Sequence, residues 1–349
     1  MSHKKFLPET YLEMNKVLVT GAAGFIGYHC CLKLLSAGFE VIGIDNLNKY
    51  YDEELKKNRL ETLKSFSKEN HYNFEFIKVD LKDQKKLSGI FKQYPFDIVI
   101  HLAAQAGVRY SFKNPETYIE SNLIGFFNLL ESIKSLEIKH FIFASSSSVY
   151  GNNKNVPFSE NDKSDSPVSL YAATKKSNEL MAYSYSHLYQ IPTTGLRFFT
   201  VYGPYGRPDM AYYKFTKNII EGKEIDLYGY GDLYRDFTYI DDIVEGIFII
   251  LGKAPVAGES LDSKAVAPYE IFNIGNNNPI KISEFLQILE NEINISASKN
   301  LLPIQPGDVP ITFANIDLLE KKIDFKPKTN IKEGLSKFVS WYKDYQKHK

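Results

Sequence analysis

Lys16-Val-Leu-Val-Thr20-Gly21-Ala-Ala-Gly24-Phe25-Ile26-Gly27 decides the fold, together with Phe39-Glu-Val-Ile-Gly-Ile-Asp45 one helix further on. Lys16–Thr20 reads as a short buried strand, and the apolar residues after the glycines recur with helical period to about Ser36. Glycines between a strand and a helix permit a tight turn. They also let backbone N–H groups at the helix N-terminus approach a pyrophosphate, with Gly21, Gly24, Phe25, Ile26 and Gly27 around it. Asp45 ends the second strand, where a carboxylate accepts hydrogen bonds from an adenosine ribose and repels a 2′-phosphate. NAD is therefore the expected cofactor, rather than NADP.

Outward from this unit, strands and helices alternate. Asn58–Lys68 reads as helical and Asn73–Asp80 as a third strand. Phe96–Leu102 is a fourth strand, Glu116–Leu136 a long helix and His140–Ser146 a fifth strand. A helix from Leu170 to about Tyr189 and the strand Thr193–Phe199 complete the series. This rhythm predicts an α/β fold with a doubly wound parallel sheet of the Rossmann type, binding ligands at the carboxyl ends of its strands. After Phe199 the rhythm breaks into shorter elements at Tyr212–Glu221, Asp241–Leu251 and Ile282–Ile293. The expected organisation is an N-terminal extension over 1–14 and a dinucleotide-binding domain over 15–196, with 237–250 and 270–275 returning to it. A smaller C-terminal substrate-binding domain takes 197–236 and 276–349.

Composition narrows the class. The 349 residues carry 42 basic and 42 acidic side chains, so no net field draws the chain to nucleic acid or anionic lipid. No apolar run is long enough to span a bilayer, and the polar start is unlike a secretory signal, which makes the cytoplasm the expected location. Cys30 and Cys31 adjoin on a helix and read as small core residues, with no partners at metal-ligand spacing. Only five of the basic residues are arginine (Arg59, Arg109, Arg197, Arg207 and Arg235), and four lie in the motif segments below. A guanidinium fork suits carboxylate and phosphate in a way that lysine cannot copy.

Further strand ends carry chemistry. Asp80 and Leu81 close the third strand at the level of an adenine. The small residues of Leu102-Ala103-Ala104 leave room for the middle of the cofactor, and His101 before them reads as a packed strand residue. Ser145-Ser146-Ser147-Ser148 ends the fifth strand, about 25 residues before Tyr171. Tyr171 and Lys175 stand four apart, which on a helix makes their side chains neighbours. An ammonium there stabilises a phenolate, so that the tyrosine can exchange a proton with a substrate hydroxyl while Ser146 bonds the same oxygen. The spacing alone decides little, since Tyr150/Lys154, Tyr213/Lys217 and Tyr345/Lys349 repeat it. Asn122 reads as structural.

Together these segments resemble an extended short-chain dehydrogenase/reductase over nearly all of residues 16–345, and most closely the nucleotide-sugar 4-epimerases acting on UDP-glucuronate. The resemblance implies a tightly held NAD, a UDP-sugar substrate and a homodimer built on a four-helix bundle. It also implies that Tyr171 takes the C4 hydroxyl proton while Lys175 holds the nicotinamide ribose. Dehydratases that resemble this chain carry Asp-Glu after the strand-end hydroxyl, and decarboxylases carry Glu nearby. Here Ser147 and Ser148 stand there as substrate contacts, which favours epimerisation. Thr200 and Arg207, in Arg197-Phe-Phe-Thr200 and Tyr205-Gly-Arg207-Pro-Asp-Met210, are the expected carboxylate contacts. The resemblance gives Arg235 the diphosphate with support from Asp236, places Asp308 at the uridine ribose, and sets Arg109 near the sugar. The rival readings are a UDP-N-acetylglucosamine or UDP-glucose 4-epimerase, a UDP-glucuronate decarboxylase, and an NAD-binding regulator without catalysis.

Overall fold

Strands β1 (Lys16–Thr20) and β2 (Glu40–Asp45) pair in parallel, with Val17 opposite Val41 and Thr20 opposite Ile44. Both are apolar along almost their whole length, as strands covered on both faces must be. β3 (Phe74–Lys78), β4 (Ile98–His101), β5 (His140–Ser146) and β6 (Thr193–Phe198) extend the sheet. In the computed structural model, which describes residues 14–259, 266–305 and 309–347, the strand order is β10-β6-β5-β4-β1-β2-β3. Here β10 is Tyr269–Ile274, after β7 (Thr200–Tyr202), β8 (Ile225–Tyr228) and β9 (Tyr234–Tyr239). The order reverses between β1 and β4, which run in register from Val17/Ile98 to Thr20/His101. Ligands bind doubly wound sheets outside the strand ends at such a reversal.

Two compact units divide the chain. The first takes residues through Gly151, then Ser164–Arg197 and Val244–Phe272. Its core joins Leu18, Ile42, Val99 and Phe141 of the sheet to Phe126 and Leu129 of a covering helix. The second takes Asn152–Lys163, Phe198–Ile243 and the chain from Asn273. There β9 is flanked by β11 (Pro279–Lys281) and β13 (Ile311–Thr312) and also pairs with β7, while β12 (Lys299–Leu302) pairs with β8.

Three sequence expectations change. Residues 237–239 do not return to the main sheet: they belong to β9 in the second unit, and of the two expected segments only Tyr269–Ile274 joins it as a strand. The long helix expected over 116–136 is interrupted. Pro115–Tyr118 and Gly125–Ile133 are α-helical, and Ile119–Ile124 between them is a π-helix. The Asn122 carbonyl in that wider turn accepts the Asn178 side-chain N–H at 2.6 Å, a bond across elements that local propensity does not encode. The third change is an added helix over Gln84–Gln93, capped by Asp83 on the Lys86 N–H, which buries only Leu87, Ile90 and Phe91 and so carries a weak apolar period. Cys30 and Cys31 are free and buried on the helix Phe25–Ser36, and burial raises both thiol pKa values. Residues 1–13 of the N-terminal extension, and Asp308, lie outside the described residues.

Candidate active site

The glycine turn is set by backbone contact. Gly21 has φ +73°, and a Cβ on it would come within 2.8 Å of the Ala103 nitrogen. A Cβ on Gly27 would stand 2.1 Å from the Gly21 carbonyl oxygen, which no adjustment short of moving the turn relieves. The Gly24 N–H donates to that same oxygen at 2.8 Å. The helix Phe25–Ser36 begins here with no side-chain cap and no acidic residue in its first turn. Its N–H groups and positive dipole end therefore suit an anion. Phe25 is buried, Ile26 half-buried.

Asp45, at the end of β2, accepts the Ala23 N–H at 3.2 Å and the Leu47 N–H at 2.8 Å. Burial raises its pKa, opposed by those N–H groups and by the charges of Lys56 and Arg59. Neither cation was expected to serve this loop. Arg59 is fully buried and donates to the Ala23 carbonyl at 2.8 Å and the Tyr51 hydroxyl at 2.7 Å, while Lys56 donates to Asn48 Oδ1 at 2.6 Å. The available signal was their spacing: both fall on the face of Glu53–Glu69 that buries Leu55, Leu60 and Leu63. Asp80 accepts from Asn46 Nδ2 at 3.0 Å, next to a buried Leu81.

At the other side of the sheet reversal, Thr20 Oγ1 accepts the Ala103 N–H at 3.1 Å and bonds His101 Nδ1 at 2.8 Å. Burial, aided by the Lys175 charge, drops the His101 pKa to about 3, so the ring is neutral and unsuited to act as a base at pH 7. Leu102, Ala103 and Ala104 are half-buried, and Arg109 is exposed on the short helix Val108–Lys113.

The helix Leu170–Tyr189 starts at Ser169, whose hydroxyl accepts the Ala172 N–H at 3.1 Å. Tyr171 is half-buried in its first turn, edge-on to the Tyr118 ring at 6.0 Å. Lys175 is buried and donates to the Ala144 carbonyl of β5 at 2.8 Å. Burial lowers its pKa to about 8, and the Glu179 charge opposes the fall. On the adjoining strand end, Ser146 Oγ accepts the Ser148 N–H at 3.2 Å and lies 3.1 Å from Ser148 Oγ. Asn122 joins these parts: it exchanges bonds with the Gln105 backbone and donates to Thr174 Oγ1 at 3.0 Å. The repeated Tyr/Lys spacings lack this setting. Gly151 ends the helical turn that holds Tyr150, Tyr213 is packed against Phe338 and Tyr342, and Lys349 is outside the described residues.

The second unit holds the remaining assigned residues. Thr200 is half-buried at the start of β7. Arg207 is forked onto Asp209, with Nε to Oδ1 at 3.0 Å and Nη2 to Oδ2 at 2.5 Å. Arg235 donates to the Tyr234 carbonyl at 2.8 Å. Asp236, expected to support a phosphate contact, accepts the backbone N–H groups of Asn276, Asn277 and Ala314 at 3.0, 3.1 and 3.0 Å. Among the described residues no group of three or more His, Cys, Asp or Glu could hold a metal ion, and no helix is long and apolar enough to cross a membrane.

A buried lysine one turn from a half-buried tyrosine, in the unit that carries the glycine cradle, is the arrangement of an extended short-chain dehydrogenase/reductase. The chain belongs to the family described as GDP-mannose 4,6 dehydratase, whose profile matches residues 18–338. It is similar to Protein CapI of Staphylococcus aureus, 53% identical over 338 residues that cover 95% of this chain and 99% of the relative. UDP-glucuronate 4-epimerase 4 of Arabidopsis thaliana is 48% identical over 335 residues, covering 94% of this chain and 75% of that one. Among solved structures, UDP-glucuronic acid 4-epimerase from Bacillus cereus, in complex with UDP-glucuronic acid and NAD, matches with TM-score 0.83 and 35% identity. The match covers 95% of this chain and 99% of that one.

Proposed function

We propose that the protein is an NAD-dependent UDP-sugar 4-epimerase that interconverts UDP-glucuronate and UDP-galacturonate through a 4-keto sugar. The observation that carries this reading is the Tyr171/Lys175 helix packed on the strand that ends at Ser146, with no carboxylate in the run Ser145–Ser148. Oxidation at C4 is provided for, and an acid–base group for eliminating water is not. The names of the relatives and of the solved structure point to the same reaction.

The turn fits a dinucleotide, since backbone packed against Gly21 and Gly27 leaves no room for a Cβ at either and no side chain caps the helix that the turn opens. NAD⁺, when bound there, accepts the hydride from C4 and later returns it. Asp45 would hold the adenosine ribose, Asp80 and Leu81 would flank the adenine, and Lys175 would hold the nicotinamide ribose. Tyr171, as phenolate, takes the C4 hydroxyl proton while Ser146 bonds that oxygen, and the C4–O bond becomes a carbonyl. Once the keto sugar has turned its other face, Tyr171 would give the proton back to the same oxygen. In this reading Ser147, Ser148 and Arg109 are assigned to the sugar, Thr200 and Arg207 to its carboxylate, Arg235 to the diphosphate and Asp308 to the uridine ribose. A 4-keto uronate is a β-keto acid, and a fixed carboxylate resists the alignment that loss of CO₂ requires.

Incubation with UDP-glucuronate, followed by NMR, should show UDP-galacturonate accumulating to equilibrium. UDP-xylose as the main product would overturn epimerisation, and turnover of UDP-N-acetylglucosamine alone would overturn the substrate. Arg207→Ala should cost about 100-fold in kcat/KM for UDP-glucuronate, the scale of a lost charge-assisted contact. An unchanged ratio of UDP-glucuronate to UDP-glucose turnover would remove Arg207 from the carboxylate site.

The enzyme is further read as a cytoplasmic homodimer that supplies polysaccharide assembly. Leu180, Tyr183 and Leu188 on the tyrosine helix, with Ile124 and Phe127 on its neighbour, stay exposed at helical spacing, Leu188 to 68%. A second copy of the chain would cover such a stripe. Sedimentation equilibrium at micromolar concentration should give twice the 39.9 kDa chain mass; a monomer throughout would exclude the dimer.

A further inference from the structure

Glu179 lies one helical turn past Lys175, and both are 2% exposed. A buried carboxylate is costly unless it is paired and hydrogen-bonded. Arg197 of β6 supplies the pairing as a two-pronged fork, with Nε to Oε1 at 2.8 Å and Nη2 to Oε2 at 2.9 Å. Ser145 Oγ donates to Oε1 at 2.6 Å, and Arg197 Nη1 donates to the Tyr150 hydroxyl at 3.0 Å. Two consecutive β5 residues, Ala144 and Ser145, are thus bonded to Lys175 and Glu179 immediately before Ser146. Stability alone does not call for this network, because apolar residues of like volume commonly replace a buried ion pair without loss.

We propose that Glu179 is a positioning residue for the epimerisation. Held by Arg197, its carboxylate keeps the Lys175 ammonium charged and fixes the tyrosine helix in register with the strand that ends at Ser146. The inference rests on the function proposed above. Burial pulls the Lys175 pKa down to about 8, and Glu179 is the group that pulls it back up. Burial also raises the Glu179 pKa, yet Arg197, Ser145 and Lys176 hold it below the ordinary carboxylate value, so its charge persists at neutral pH. Neither His101, which feels the Lys175 charge, nor the groups bonded around Glu179 can substitute. His101 on β4 is neutral, Arg197 and Lys176 are cations, and Tyr150 is a phenol tied to Arg197.

Without Glu179, more Lys175 is neutral at pH 7 to 8, and the Tyr171 phenolate loses its counter-charge. The test uses ¹³C NMR of ring-labelled tyrosine in the full chain, with the Tyr171 resonance assigned through Tyr171→Phe. Glu179→Gln should move the Tyr171 titration up by about one pH unit, the scale of a lost neighbouring charge. In the turnover profile its acid limb should rise and its alkaline limb fall, with kcat at pH 7 about tenfold lower. Ser145→Ala, which keeps both charges, should lower kcat and leave the titration in place. Where the orphaned Arg197 prevents Glu179→Gln from folding, Glu179→Gln with Arg197→Met removes the same charge and should give the same shift.

An unmoved Tyr171 titration in a folded variant overturns the proposal, and so does failure of both variants to fold, which would make the role structural. The resonance is read without substrate. A wild-type protein that does not turn over UDP-glucuronate would therefore refute the proposed function and leave this result standing.

Discussion

Tyr171→Phe should abolish all but about a thousandth of UDP-glucuronate turnover while the protein folds and melts as the wild type does. Positioned proton transfer contributes roughly 10²- to 10⁴-fold, and this substitution removes only the oxygen that carries the proton. The ring remains to pack edge-on against Tyr118, which is itself fully buried and bonded to the Ala106 and Gly107 carbonyls. A structural cost is therefore small, and the loss should fall on kcat with little change in KM. NMR turnover together with a melting curve measures both quantities. Activity within tenfold of wild type would mean that another group moves the proton.

Asp236→Ala should instead damage the second unit. Asp236 is fully buried and is the acceptor for three backbone N–H groups, from residues 40, 41 and 78 positions away. Burial raises its pKa to about 6 against the pull of those donors, so the donors are the reason a carboxylate stands there at all. A buried donor left without its acceptor costs about 1–3 kcal/mol, so three shut off from water would cost roughly 3–9; only the Ala314 bond is fully buried, and water reaches the other two, which puts the loss near the lower end. That is a large part of the 5–15 kcal/mol that typically separates a folded domain from its unfolded chain. Urea unfolding should show an early transition in the variant. A midpoint equal to wild type would show that water or a neighbour replaces the carboxylate.

The two variants separate what the sequence discloses from what it hides. Lys16–Thr20, the helix ending at Ser36, His140–Ser146 and Leu170–Tyr189 were readable to the residue, because burial on both faces or a capped apolar period marks them. Tyr171 and Lys175 were readable as neighbours on one helix, and it was the serine run before them, not their spacing, that set them apart from the three repeats. The bonds that hold Asp236 were hidden because its partners come from segments 40 or more residues away, and its place beside Arg235 drew attention only to an anion site. The π-turn at Asn122 was hidden for the same reason, since it depends on Asn178. Glu179 sat in view at helical spacing from Lys175, but its meaning required Arg197 from another strand. Strands such as β11 and β13, three and two residues long, carry no periodic signal.

The buried Arg59 has a consequence for how long the cofactor stays. By bonding the Ala23 carbonyl, it fixes the glycine turn from behind, through the protein's own interior. The turn is therefore ordered during folding, and a dinucleotide arriving there does not have to freeze it. Preorganisation of this kind favours slow release. An enzyme that removes a hydride and must restore it to the same sugar depends on such residence, because a cofactor that departed midway would leave a ketone with nothing to reduce it.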